Sequence, residues 1–241
     1  MSNLAVSVAE KTRNSVLRSK KRVWTIADFK TNKSAALREL SRLTEEGLLV
    51  RPSKGIYVRP VSTVLGPSTI SSEELAKVKA LKKGAELVST GYKVFNVLGI
   101  TTQVSGVSEL AVDRPVRVAD PIKSRVRFVI RDRRTLKNPK ERSILEALRR
   151  INHISDATPT DVIAAVKRAL KSKDIDFEHI ARLAVSSEPP RVRALLGAIG
   201  ESLRIPARIL NALHNSLNPT TIFRINLDGS LPTASAWNIR S

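Results

Sequence analysis

The 241-residue chain contains no cysteine, which removes disulfides, thiolate metal sites and cysteine nucleophiles and fits a reducing cytoplasm. Apolar runs are short, and none approaches the roughly 18 residues needed to span a bilayer. Met1 to Arg22 lack the apolar block and small-residue cleavage site of a secretory signal. A cytoplasmic protein with no membrane partner is therefore expected. Histidine is scarce: His153, His179 and His214 stand far apart in helical patterns with no i,i+4 partner, so no metal site is expected. Neither common type of Gly-rich phosphate loop is present, nor a Gly-x-Ser-x-Gly elbow. Asp174-Ile175-Asp176 could hold Mg²⁺, but paired carboxylates between two helical patterns are better explained as helix caps. No clustered catalytic set is visible, so neither enzyme activity nor a cofactor is expected.

Acidic residues are also in short supply. Asp and Glu number 22 against 42 Lys and Arg, a formal charge of +20. A folded chain this basic points to a polyanion, because phosphate contacts release condensed counterions; the plain alternative is a basic surface that only aids solubility. The excess is uneven. Residues 1–60 hold 13 basic and 5 acidic residues, residues 61–140 hold 15 and 7, and residues 141–241 hold 14 and 10. Any nucleic-acid footprint is thus expected in the first 140 residues.

The first sixty residues read as three helices and a β-ribbon. Leu4, Val8, Thr12, Val16 and Leu17 recur on one helical face, predicting a helix from Leu4 to Lys20. Thr25 opens a short second helix, with Trp24 and Phe29 as core anchors. Thr31-Asn32-Lys33-Ser34 is a break rich in cap residues. A third helix, Ser34 to Glu46, places Ala36, Leu37, Leu40 and Leu43 in one inward stripe, and Gly47 ends it. Leu48 to Arg51 and Gly55 to Val58 flank Pro52-Ser53-Lys54 as a hairpin. That order is a winged helix-turn-helix.

Val61 to Thr69, which follows Pro60 and carries Gly66 and Pro67, reads as a boundary. Helices are predicted from Ser71 to about Gly84 and from Ser89 to Leu98, then strands at Glu109–Val112, Val116–Ala119 and Val126–Ile130. From Pro139 the helical period returns at 139–151, 159–171, 176–185, 190–203 and 206–216. A tail hairpin turns at Asp228-Gly229. The expected class is α+β: a winged helix-turn-helix over residues 1–62, then a C-terminal domain over 63–241. The latter divides into a mixed α/β part at 63–135 and a mostly helical part at 136–241.

The third helix carries the sharpest expectation. With its stripe inward, Lys33, Ser34, Arg38, Ser41, Arg42 and Glu45 face out, and the first five suit phosphate or major-groove contact. Glu39, Glu45 and Glu46 on the same helix leave a merely solvated face as the alternative. On the ribbon, Arg51, Lys54 and Arg59 suit the phosphate backbone or the adjacent minor groove. Tyr57 reads as core before DNA contact. Arg18, Lys20, Lys21 and Arg22 are either phosphate contacts or a solvated helix end, and Arg131 to Arg134 either a second nucleic-acid surface or a solvated turn.

Several runs together resemble the N-terminal domain of AbiEi-type antitoxins, from the abortive-infection (AbiE, type IV) toxin–antitoxin systems of phage defence. They are Trp24-Thr25-Ile26-Ala27-Asp28-Phe29, Ala36-Leu37-Arg38-Glu39-Leu40-Ser41-Arg42-Leu43, Gly47-Leu48-Leu49-Val50-Arg51 and Gly55-Ile56-Tyr57. Ser89-Thr90-Gly91 with Asn96-Val97-Leu98-Gly99-Ile100-Thr101-Thr102-Gln103-Val104 resembles that family's second, more telling signature. The resemblance covers roughly residues 10–135. It implies a transcriptional repressor that binds inverted repeats in its own promoter as double-stranded DNA. It also implies a C-terminal region that counteracts a nucleotidyltransferase-like toxin, usually without a stable complex; no catalytic residue carries over. The residues by themselves also admit a winged-helix regulator with a sensor or dimerisation domain and no toxin partner, or an enzyme delivered to nucleic acid by its winged helix.

Overall fold

In the computed structural model, which describes residues 7–30, 32–64, 66–118, 122–136 and 138–240, the contacts divide the chain into two units, residues 1–75 and 76–241. The class is α+β. In the first unit, α1 (Val8–Arg18) begins where the Ser7 side chain accepts the Glu10 amide at 3.2 Å. Strand β1 (Val23–Thr25) runs into a single 3₁₀ turn, Ile26–Asp28, closed by a capping box between Thr25 and Asp28. Helix α2 (Lys33–Glu45) is capped by the Asn32 side chain, which accepts the Ala35 amide from a left-handed backbone (φ 44°). Gly47 follows its end, where the amides of Leu48 and Leu49 return to the Leu43 carbonyl. Strands β2 (Val50–Ser53) and β3 (Ile56–Val58) form the ribbon, and β1 joins it in the order β1-β3-β2, all antiparallel. Val16, Trp24, Leu40, Leu43, Leu49 and Tyr57 form the core, with Leu17 and Phe29 against it. Arrangement and order are those of a winged helix-turn-helix.

Four expectations change here. The second helix is one 3₁₀ turn, because Thr25 is taken up by β1, a strand too short to show periodicity. Leu37 is not in the stripe: it is 42% exposed, and Glu39 at 4% takes the inward position. The segment read as a boundary pairs with itself as β4 (Val61–Thr63) and β5 (Gly66–Ser68) and groups with the first unit. Arg22 holds it by donating to the carbonyls of Ser68 and Thr69 at 3.3 and 3.0 Å. The division falls after Leu75, inside α3 (Ser72–Lys82). Leu4 and Thr31 lie outside the described residues.

The second unit sets a three-stranded sheet beside a helical core. Strand β6 (Leu87–Thr90) precedes α4 (Tyr92–Val97), then come β7 (Ser108–Val112), α5 (Ile122–Arg125) and β8 (Val126–Ile130). The order is β6-β7-β8, antiparallel then parallel. The single helix expected from Ser89 to Leu98 is thus a strand and a short helix. Gly91 separates them, at φ 68° and so close to Glu109 that an added Cβ would lie 2.6 Å from its carboxylate. No strand forms over Val116–Val118: both edges of β7 are already filled, and Pro115 lacks the N–H a ladder needs. Ala119 lies outside the described residues.

After a 3₁₀ turn at Arg133–Leu136 come α6 (Pro139–Arg149), α7 (Pro159–Leu170), α8 (Phe177–Ser187), α9 (Pro190–Ser202) and α10 (Ala207–Asn215). These match the periodicity within a few residues, and the caps explain why: Asn138, Thr158 with Asp161, and Asp176 each satisfy first-turn amides. Helix α6 is buried on nearly every side from Glu141 to Leu148. The tail is not a hairpin. Strand β9 (Phe223–Arg224) pairs in parallel with β10 (Ile239–Arg240), and the 3₁₀ segment Pro232–Trp237 makes the crossover. That segment drives Trp237, 3% exposed, onto Gly197 of α9.

A Cβ at Gly197 would lie 2.0 to 2.4 Å from Trp237 ring carbons. Gly197→Ala therefore has to displace a buried ring and should cost about 1–3 kcal/mol, read as faster hydrogen exchange in α9 and the 232–237 segment. Gly106→Ala, which meets nothing within 4 Å, should leave those amides unchanged; equal effects would mean the ring does not rest on the glycine.

Candidate nucleic-acid interface

Helix α2 turns Lys33, Ser34, Leu37, Arg38, Arg42 and Glu45 to solvent, with Ser41 half-buried. The sign of charge on this face depends on where the acidic side chains go. Glu39 points into the unit, where Arg13 of α1 donates to it at 3.1 Å and Arg42 at 3.3 Å. Arg13 also donates to both carboxylate oxygens of Glu46, at 3.1 and 2.5 Å. These bonds raise the Arg13 pKa above its ordinary value and lower that of Glu46, so both stay ionised. Glu39 and the helix-ending Glu46 are thus drawn to α1, and Glu45 remains on the outward face.

The eight residues expected at a DNA surface sort into groups. Arg38 is exposed and makes no hydrogen bond or ion pair among the described residues, and the same holds for the side chains of Lys33 and Lys54. The Ser34 hydroxyl donates to Asn32 at 3.0 Å, within the helix start. Arg42 is 67% exposed but tethered to Glu39. Arg51 lies over the Tyr57 ring, 5.5 Å from its centroid, a cation–π contact that keeps the guanidinium on the outer side of the ribbon. Tyr57 itself is fully buried.

Arg59 belongs elsewhere. Its guanidinium donates to the carbonyls of Val16 at 3.1 Å, Leu17 at 2.5 Å and Ser19 at 2.6 Å. It closes the C-terminal end of α1, where a cation also suits the helix dipole. That is a correction to its place on the DNA face. From the cluster before β1, Lys21 pairs with Asp28 at 2.5 Å and sits 4.9 Å from the Trp24 ring centroid. Arg22 holds the β4–β5 hairpin, and Arg18 and Lys20 are exposed. Leu37 was missed as a surface residue; its only sequence signal was Glu39, whose burial rotates the helix toward α1.

The other candidates resolve into structural roles. In the 131–134 cluster, Arg131 pairs with Glu146 at 3.1 Å, Arg133 with Glu86, and Arg134 with Asp132 at 2.8 Å. Asp176 caps α8, whereas Asp174 pairs with Lys140. His179 Nδ1 lies 2.6 Å from Glu141, and the His214 ring meets Trp237 edge-on. Among the described residues no group of three His, Cys, Asp or Glu is placed to hold a metal ion. No helix there is long and apolar enough to cross a membrane.

Arg59→Ala should destabilise the first unit by about 1–3 kcal/mol, since buried helix-end carbonyls lose a charged donor. Lys54→Ala should stay within about 0.5 kcal/mol. Urea unfolding followed by Trp24 fluorescence, with Trp237 replaced by Phe, measures both. Equal stabilities would return Arg59 to the surface set.

A crystal structure of the Mycobacterium tuberculosis protein Rv2827c has a similar fold. Its TM-score is 0.52 at 18% identity, covering 92% of this chain and 87% of that one. No curated protein matches the chain. Residues 7–175, well over half the chain, match the model of a family of unknown function, DUF6088, and the chain belongs to that family.

Proposed function

We propose that this protein is a DNA-binding regulator that lays α2 in the major groove and the β2–β3 ribbon on the adjacent backbone. The observation that carries the reading is Arg38. It stands exposed on the outward face of α2, while neighbouring Arg13, Arg42 and Arg59 all have protein partners. An uncommitted guanidinium flanked by small hydroxyls is the chemistry that reads a guanine edge. Lys33 at the helix start and Lys54 at the ribbon tip supply point charges for phosphate, which positions without specifying. The +20 charge and its weight toward the first 140 residues support the same partner.

The resemblance to AbiEi-type antitoxins supports a narrower reading. The operator would then be inverted repeats in the protein's own promoter. The second unit would counteract a nucleotidyltransferase-like toxin without lasting association. The resembling segment 96–104 lies in that second unit, outside the winged helix, which supports a reading in which the two activities are separable.

Selection from a random DNA library should yield a preferred site whose affinity falls steeply with salt. Arg38→Ala should then cost about 1–3 kcal/mol on that site and relax its sequence preference, whereas Lys54→Ala should weaken selected and random DNA alike and lower the salt slope. Equal losses on both DNAs for both variants would make Arg38 a phosphate contact. No enrichment, with affinity flat in salt, would sink the DNA reading.

The antitoxin reading has its own test. If a nucleotidyltransferase-like reading frame lies beside the gene, combining Arg38→Ala with Lys54→Ala should abolish repression of a promoter reporter while cells expressing that reading frame still grow. Loss of growth with a well-expressed variant would mean protection acts through repression alone.

A further inference from the structure

Within the second unit, α4, the start of α6 and the end of α7 enclose a pocket of about 480 Å³, a volume common for small-ligand sites. Its wall is mostly apolar: Val94, Val97, Leu98, Ile144 and Ile175. Val97 is 80% exposed at the mouth. Three cations line it too: Lys93, Lys140 and Arg142.

Arg142 is the anomaly. It is only 8% exposed, yet no carboxylate among the described residues pairs with it. Its guanidinium makes one hydrogen bond, from Nη1 to the Ser89 carbonyl at 2.5 Å, and Nε is buried without a partner. Glu146, one turn along α6, is already held by Arg131, Arg149 and Arg150. Burial pushes the Arg142 pKa below its ordinary value against the opposing pull of the nearby Glu146 charge. Such a charge is costly unless something anionic meets it. Lys140 is paired with Asp174, but that pair is exposed at the rim and its ammonium can turn to a ligand at little cost.

We propose that this pocket binds a small organic acid, its carboxylate taken by Arg142 with the lysines at the rim and its apolar body lying along Val94, Leu98 and Ile144. A guanidinium fork matches a carboxylate in geometry as well as charge, and an apolar wall needs an apolar body to displace its water. The proposal is independent of DNA binding and survives its failure.

Octanoate and 4-phenylbutyrate serve as aliphatic and aromatic probes, titrated into the full-length chain by calorimetry, with acetate, 1-octanol and octylammonium as controls. At least one acid should bind at least tenfold more tightly than every control; the aliphatic or aromatic preference tells which body the wall accepts. Val97→Glu changes an exposed residue, so the fold should persist while a negative charge at the mouth weakens that acid at least tenfold. Arg142→Lys should weaken it similarly, and a thermal melt checks that each variant is folded. Because a chain of +20 attracts anions everywhere, the site is tested by the variants. Binding unchanged by a folded Val97→Glu, or acids no tighter than acetate or octanol, would overturn the proposal.

Discussion

A carboxylate removed from water has to find a cation or take up a proton, and both units of this chain are organised around carboxylates that found cations. In the first unit Glu39, 4% exposed, is met by Arg13 and Arg42. In the second, Glu146 gathers Arg131, Arg149 and Arg150, and Arg149 also holds Glu188 with both oxygens. Burial nonetheless raises the Glu188 pKa against the pull of Arg149. These contacts tie α1 to α2, and α6 to the sheet and to the end of α8. Removing one member of such a set leaves its partner charged and buried, which costs more than the intact pair contributes.

That constraint divides the basic residues into two populations. One is engaged within the fold: Arg13, Arg59, Arg131, Arg149 and Arg150 hold carboxylates or helix-end carbonyls. The other, led by Lys33, Arg38 and Lys54, meets solvent. The high net charge of the chain is therefore a poor guide to which cations are available to a partner. Because Arg13 draws Glu39 and Glu46 toward α1, the outward face of α2 keeps its positive character despite Glu39 and Glu45 in its sequence and Glu46 at its end.

Arg142 sits outside both populations. It lies on α6 beside the Glu146 cluster, yet both Glu146 oxygens are held by Arg131, Arg149 and Arg150. The same competition for anions that neutralises the rest of the helix leaves this one arginine without an ion-pair partner at the wall of a mostly apolar pocket.

Local signals were legible in the sequence. Helix starts followed the side chains that satisfy first-turn amides, at Asn32, Asn138, Thr158 and Asp176, because a cap acts within three residues. The ribbon and the order of the winged helix were legible for the same reason. What periodicity could not supply was pairing across the chain. Arg13 reaches Glu39 across 26 positions, and Arg59 reaches Val16 across 43. Those two contacts exchange Leu37 for Glu39 on the buried side of α2 and withdraw Arg59 from the surface. Three-residue strands such as β1 are too short to show a period, and β6 was hidden in a run that continues into α4. The parallel tail pair depended on a Trp237 ring finding a glycine 40 residues earlier in sequence, a fit of shape that no local pattern encodes. The sequence by itself determined the helices from Pro139 onward, their starts, and the presence of a basic helix-and-ribbon unit. Tertiary structure alone decided which charges remained outward, because each one's fate depends on a partner that only folding brings near.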